Sequence, residues 1–128
     1  MKKTLILLLF STMTLFMGGC VYDWIVPEEV PEIPTDVEIS FAQQILPIFT
    51  NGNNCTSCHR SGGTPPDLSE ANAYNQINTA KYMNRSNPAE SGIYKIPGPT
   101  GTSHRHKVYT AQQAALILAW IEQGAKNN

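Results

Sequence analysis

Cysteine is scarce: among 128 residues only Cys20, Cys55 and Cys58 carry a thiol. So few thiols cannot cross-link a small exported domain, which excludes a disulfide framework as the source of its stability. Lysine and arginine are missing between Val21 and Ser40, and the whole chain has a formal net charge of only −1. That balance leaves no basic footprint for nucleic acid. No apolar run reaches the roughly 20 residues of a membrane-spanning helix. Strand-like alternation and internal repeats are absent too, and methionine does not occur between Ile96 and Thr110.

The chain begins with Lys2 and Lys3, a mostly apolar stretch from Thr4 to Met17, then Gly18, Gly19 and Cys20. This is the plan of a secretory signal over residues 1–19, too short to be a membrane anchor in its own right. Met17-Gly18-Gly19-Cys20 resembles the lipobox of bacterial lipoproteins, with methionine where leucine is usual. The resemblance implies removal of 1–19 and a diacylglycerol on Cys20, so that the mature chain is anchored to a membrane and does not span it. Val21 after the cysteine, instead of aspartate, resembles outer-membrane sorting. The expected location is therefore a bacterial outer membrane, facing the periplasm or the cell surface. Residues 20–39 read as a tether: Pro27, Pro31 and Pro34 stiffen it, and Asp23, Glu28, Glu29, Glu32, Asp36 and Glu38 repel one another.

Residues 40–128 read as one small domain with a positive balance, seven basic residues against Asp67, Glu70, Glu90 and Glu122. Phe41, Ile45, Ile48 and Phe49 recur at helical spacing after Ser40, a good cap, and Pro47 should kink or end that helix near Leu46. A second helix is predicted over about Ser69–Ile77. Asn87-Pro88-Ala89-Glu90 should start a third, running to about Tyr94. Thr110-Ala111-Gln112-Gln113 reads as a capping box for the last helix, whose face is Ala114, Ile117, Trp120 and Ile121 and whose stop is Gly124. Helices joined by such long loops suggest a chain wrapped around something.

Cys55-Thr56-Ser57-Cys58-His59 is the chemical centre of the sequence. A structural zinc would need four ligands, drawing on His59 with His104 or His106 at unfamiliar spacing. A thioredoxin-type disulfide needs a strand feeding a helix, which the surroundings do not offer. Covalent haem attachment needs two thiols, one for each vinyl group, and a histidine directly after the second to ligate the iron. Haem also supplies the apolar plate that a small, disulfide-free domain lacks.

The domain resembles a class I c-type cytochrome in the small form carried by bacterial lipoproteins. The resemblance is carried by Ile45-Leu46-Pro47-Ile48-Phe49 before the Cys55–His59 motif, Asn87-Pro88-Ala89-Glu90-Ser91 with Ile93-Tyr94, and Ala119-Trp120-Ile121-Glu122-Gln123-Gly124-Ala125. It implies an all-α fold around one covalent haem c, with Cys55 and Cys58 as thioethers and His59 as proximal ligand. It further implies a monohaem carrier of single electrons that serves a redox partner protein and is not itself an enzyme. Arg60, Lys81, Arg105 and Lys107 are candidates for a docking rim. Relatives often place the sixth ligand, a methionine, in the loop before the last helix. This chain has Ser103-His104-Arg105-His106-Lys107 there instead. His104 is the favoured distal ligand and His106 the alternative, with Met83 ranked behind them as a packing residue. If none of them binds, the distal face is open. The protein would then be a five-coordinate haem protein for a small ligand, a gas sensor or a peroxidase-like protein.

Overall fold

A computed structural model of the chain describes residues 32–34, 36–104 and 106–128. The expected signal segment 1–19, Cys20, most of the tether and Arg105 lie outside the described residues. Among those described, every regular element is helical, as the all-α expectation requires.

Ser40 opens the domain. Its backbone is extended and its hydroxyl accepts the Gln43 amide at 3.2 Å. The first turn, Phe41–Ile45, is a π-helix, and it runs directly into α1, Leu46–Thr50. The sequence predicted a kink or an end near Leu46 because of Pro47. The helix does not end there but widens before the proline, with Leu46 N–H donating to Phe41 O, five residues back. A proline ring collides with the carbonyl four residues behind it, and a wider turn relieves the collision without ending the helix.

α2, Ala73–Ile77, starts later than the predicted Ser69. Asp67 holds the intervening turns, its carboxylate accepting Ser69 N–H (2.9 Å), Ser69 Oγ–H (2.6 Å) and Asn72 Nδ2 (2.8 Å). These bonds, the Ser69 hydroxyl foremost, hold the Asp67 carboxyl below the usual carboxylate range. The third predicted helix is broken in two, a 3₁₀ turn at Pro88–Glu90 and α3 at Gly92–Lys95. The break is at Ser91, which is fully buried and extended (ψ 129°). Its hydroxyl accepts Asn84 N–H at 2.9 Å. Asn87 does not cap with its side chain.

α4, Ala111–Glu122, is as predicted: Thr110 Oγ1 accepts Gln113 N–H (3.1 Å) while Gln113 Oε1 accepts Thr110 N–H (3.0 Å). Gly124, at φ +97°, reverses the chain, so that Gly124 N–H reaches Ile121 O and Ala125 N–H reaches Trp120 O.

The core is where the first and last helices cross. The Phe41 ring lies 5.4 Å from Trp120 and 5.2 Å, edge-on, from Tyr74, which brings in α2. Tyr74 Oη then donates to Ala125 O at 3.0 Å. The two ends of the domain are clasped: Asn128 O accepts from Ala42 N–H and Ser40 Oγ, Asn128 Oδ1 from Phe41 N–H, and Gln123 bridges Val37 O and Ile39 N–H. The Lys126–Glu38 ion pair in the same clasp is 2.7 Å long but exposed, where such pairs contribute about 0–1 kcal/mol.

Thr110→Ala should cost about 1 kcal/mol and lower the thermal midpoint by roughly 4–8 °C, whereas Lys126→Ala should shift it less. Thermal melts followed by circular dichroism check both.

Candidate functional site

α1 leads into a short turn in which Gly52 takes a positive φ of 61°. Cys55 N–H then donates to Phe49 O (2.9 Å), fastening the motif to the end of α1. Cys58 N–H and His59 N–H both donate to Cys55 O, at 3.1 and 2.9 Å. This is one helical turn, and it gathers Cys55, Cys58 and His59 on one side. Both cysteines are free thiols, Cys55 half-buried and Cys58 exposed.

The following loop folds back over the motif. Thr64 N–H reaches Cys58 O and Leu68 N–H reaches His59 O, each at 2.9 Å. Gly63 permits the close approach, because a Cβ there would lie 2.4 Å from Cys58 O. His59 Nδ1 is 3.2 Å from Pro66 O. A carbonyl only accepts, so Nδ1 carries the proton and Nε2 keeps a free lone pair.

Facing His59 is His104. The ring centroids are 6.0 Å apart and the planes differ by 19°. His104 Nδ1 is buried and has no hydrogen-bond partner among the described residues. Beside the pair lies a cleft of about 520 Å³, lined by Pro65, Pro66, Leu68, Tyr82, Ile93, Ile96, Pro97 and Tyr109 as well as by Cys55 and the two histidines. A second hollow of about 980 Å³ shares Cys55, His59 and His104 and opens past Cys58, His106 and Lys107. His106 itself is exposed on this outer rim. Met83 is elsewhere: it is buried in the core and borders a polar hollow with Asn78, Lys81 and Arg85.

Burial pushes the Cys55 thiol up, with the nearby Lys107 ammonium opposing it. A thiol held protonated is a poor metal thiolate and a poor redox nucleophile. Among the described residues no group of three or more His, Cys, Asp and Glu side chains could hold a metal as a zinc site would. Nor does a strand feed the motif, as a thioredoxin-like site would require. What the arrangement does provide is two thiols and an imidazole on one side of an apolar cleft.

The cytochrome c family profile matches residues 47–125. The chain belongs to the cytochrome c family. Membership brings a covalently bound haem c with its iron, and makes the chain a haem-based electron-transfer protein. Neither the curated proteins nor the solved structures gave a match.

The residues present fit a haem. Two imidazoles sharing one metal have ring centres about 6 Å apart, from about 2 Å per nitrogen–metal bond and about 1 Å from nitrogen to ring centre. The His59 and His104 ring centroids are 6.0 Å apart, a separation that leaves no direct face-to-face contact between them. The clefts beside the pair offer the apolar walls a macrocycle needs.

Several residues of the cytochrome c cleft were not singled out in the sequence. Pro66 was read only as part of a loop, although its carbonyl orients His59. Tyr109 was passed over, yet it is buried and its hydroxyl donates to Ile93 O at 3.0 Å. The available signal was its place just before the Thr110 cap, where an apolar residue commonly fixes the entry of a helix.

Burial, with Cys55 adding to it, pushes the Tyr109 phenol well above its ordinary range. The raised group contributes stability that is fully present below its unfolded pKa of about 10. That stability is lost as pH rises toward the higher folded value. Tyr109→Phe should therefore cost about 1 kcal/mol at neutral pH and flatten the loss of stability above about pH 10. Denaturant titrations of both proteins across that range decide it, and superimposable alkaline limbs would refute the assignment.

Proposed function

We propose that the protein is a monohaem c-type electron carrier tethered to a bacterial membrane, with Cys55 and Cys58 as the thioether attachments and His59 and His104 as the axial ligands. The observation that carries this reading is the near-parallel His59–His104 pair at 6.0 Å across an apolar cleft. When bound, the haem supplies the one-electron couple.

Each side chain then has a part in holding or tuning it. Pro66 O fixes the His59 tautomer and so presents Nε2 to the metal; such an outer partner also raises the basicity of the ligating nitrogen. Leu68 and Ile93, both buried, exclude water from the flank of the site, with Tyr82 and Pro97 beside them. Electron transfer asks no proton of these residues, and Tyr109 keeps its own in the bond to Ile93 O. Arg60 and Lys107 are exposed near the attachment turn and would favour an acidic face on a redox partner protein.

The membrane part of the proposal rests on the sequence before residue 32. A diacylated Cys20 after removal of 1–19 would fasten the domain through the acidic tether of 20–39, at the outer membrane by the Val21 criterion. Cys20→Ala should move the protein from the membrane to the soluble fraction without altering its haem spectrum. Fractionation of cells that export it, with labelled fatty acid as a second readout, tests this.

The axial ligands are tested by absorption spectra of the mature protein, oxidised and reduced, for wild type and His104→Ala. The wild type should be low-spin in both states and His104→Ala high-spin. A wild type already high-spin would remove His104 as ligand and bring forward the five-coordinate alternative; a mutant that stays low-spin would transfer the role to His106, which borders the same hollow.

A further inference from the structure

We propose that the polar hollow bordered by residues 78–92 binds a free oxyanion of the phosphate type, and that filling it favours the oxidised haem. The inference needs the haem but not the His59/His104 ligand set. Three observations carry it.

The first is charge. The hollow has a volume of about 860 Å³, and its wall includes Asn78, Lys81, Asn84, Arg85 and Glu90. Glu90, the carboxylate in that wall, is already paired with Lys95 at 2.6 Å. Neither Lys81 nor Arg85 is paired with a carboxylate among the described residues. The hollow is therefore a positive one.

The second is the direction of the hydrogen bonds. Arg85 Nη2–H donates to Asn78 Oδ1, and Asn87 N–H donates to Asn84 Oδ1 at 3.0 Å. Both asparagine oxygens are thus turned to donors of the protein itself. Each amide is left with its NH₂ group, which only donates. With the remaining Arg85 N–H groups and the Lys81 ammonium, the wall offers chiefly donors. Such a set suits an anion with several oxygens, and the guanidinium fork matches phosphate in particular.

The third is place. Tyr82 and Ile93 line the haem cleft, Lys81 and Met83 line the hollow, and Gly92 borders both. The partition is a thin layer of chain, closed by Ile93 N–H on Tyr82 O at 3.1 Å. Gly92 allows the close approach: a Cβ there would lie 3.3 Å from Lys81 O and 3.6 Å from Tyr82 Cα. An anion in the hollow acts on the cleft across protein instead of water, where charges are less screened. Oxidation adds a positive charge at the iron, so the bound anion favours the oxidised form. Binding itself makes no covalent bond and moves no electron; it shifts the balance between two states.

The test titrates the mature haem-loaded protein, oxidised, with inorganic phosphate by calorimetry at fixed pH and ionic strength. The wild type should fill one site. Arg85→Gln should bind about tenfold more weakly, as the loss of a charge-assisted hydrogen bond predicts, with its haem spectrum unchanged. Lys126→Ala, which removes a cation from the clasp of the domain ends, should bind as the wild type does. In spectroelectrochemistry the wild-type midpoint should fall as phosphate replaces chloride, by about 59 mV for each tenfold preference for the oxidised form. Absence of saturable binding, or equal weakening by Arg85→Gln and Lys126→Ala, overturns the site. Binding of glycerophosphoglycerol but not phosphate assigns the same donors to a lipid headgroup and overturns the free oxyanion. A midpoint indifferent to phosphate overturns the link to the haem. Should Arg85→Gln fail to load haem, Lys81→Gln takes its place in the same comparison.

Discussion

The hydrogen bond between His59 Nδ1 and Pro66 O organises the site. To make it, the chain after the motif must fold back, which requires Gly63 where a side chain would strike Cys58 O and requires Leu68 N–H to come down on His59 O. The same bond fixes which ring nitrogen carries the proton. Without it the imidazole could rotate and exchange tautomers, and the cleft would present a donor as readily as an acceptor. The attachment turn is thus held from both sides, by α1 through Cys55 N–H and by the return loop through Pro66 and Leu68.

The frame around it is built from helices too short to be stable alone. Of the elements described, α1, α2 and α3 span one turn or little more, below the length at which isolated helices persist in water. They are held by tertiary contacts instead. The Phe41, Tyr74 and Trp120 rings join the first, second and last helices, and Asn128 and Gln123 clasp the domain ends. This clasp consists mainly of bonds to backbone groups, which would otherwise need water. The exposed ion pair beside it adds little.

Much of this was legible in the sequence, and the misses have physical causes. The capping box at Thr110 and the stop at Gly124 are local devices whose residues carry the whole signal, and they were read directly. Pro47 left a kink or an end open, and the sequence alone does not choose between them: one wide turn relieves the ring collision while Ile45, Ile48 and Phe49 stay buried. Ser91 broke a predicted helix for a reason no local pattern contains, a hydroxyl bonded to Asn84, seven residues earlier in the chain. The Cys55–His59 motif was recognisable because two thiols and an imidazole at that spacing have few uses. Pro66 was not, because it acts through a carbonyl that every residue possesses. His104 could be singled out by the lack of a methionine in its loop, but its distance from His59 depends on how Pro97 to Tyr109 closes.

That closure bears on the redox chemistry of the proposed ligand set. Two imidazoles set a lower reduction potential than an imidazole and a thioether, because a methionine ligand raises it. The apolar cleft acts the other way, since burial disfavours the oxidised iron and its additional positive charge. Lys107, whose ammonium is felt at the Cys55 thiol, adds to the second effect. In the proposed set, the lowering by a second histidine would therefore be partly offset by the walls that surround it. Leu68, Ile93 and Tyr109, all buried, are the walls that would supply this compensation.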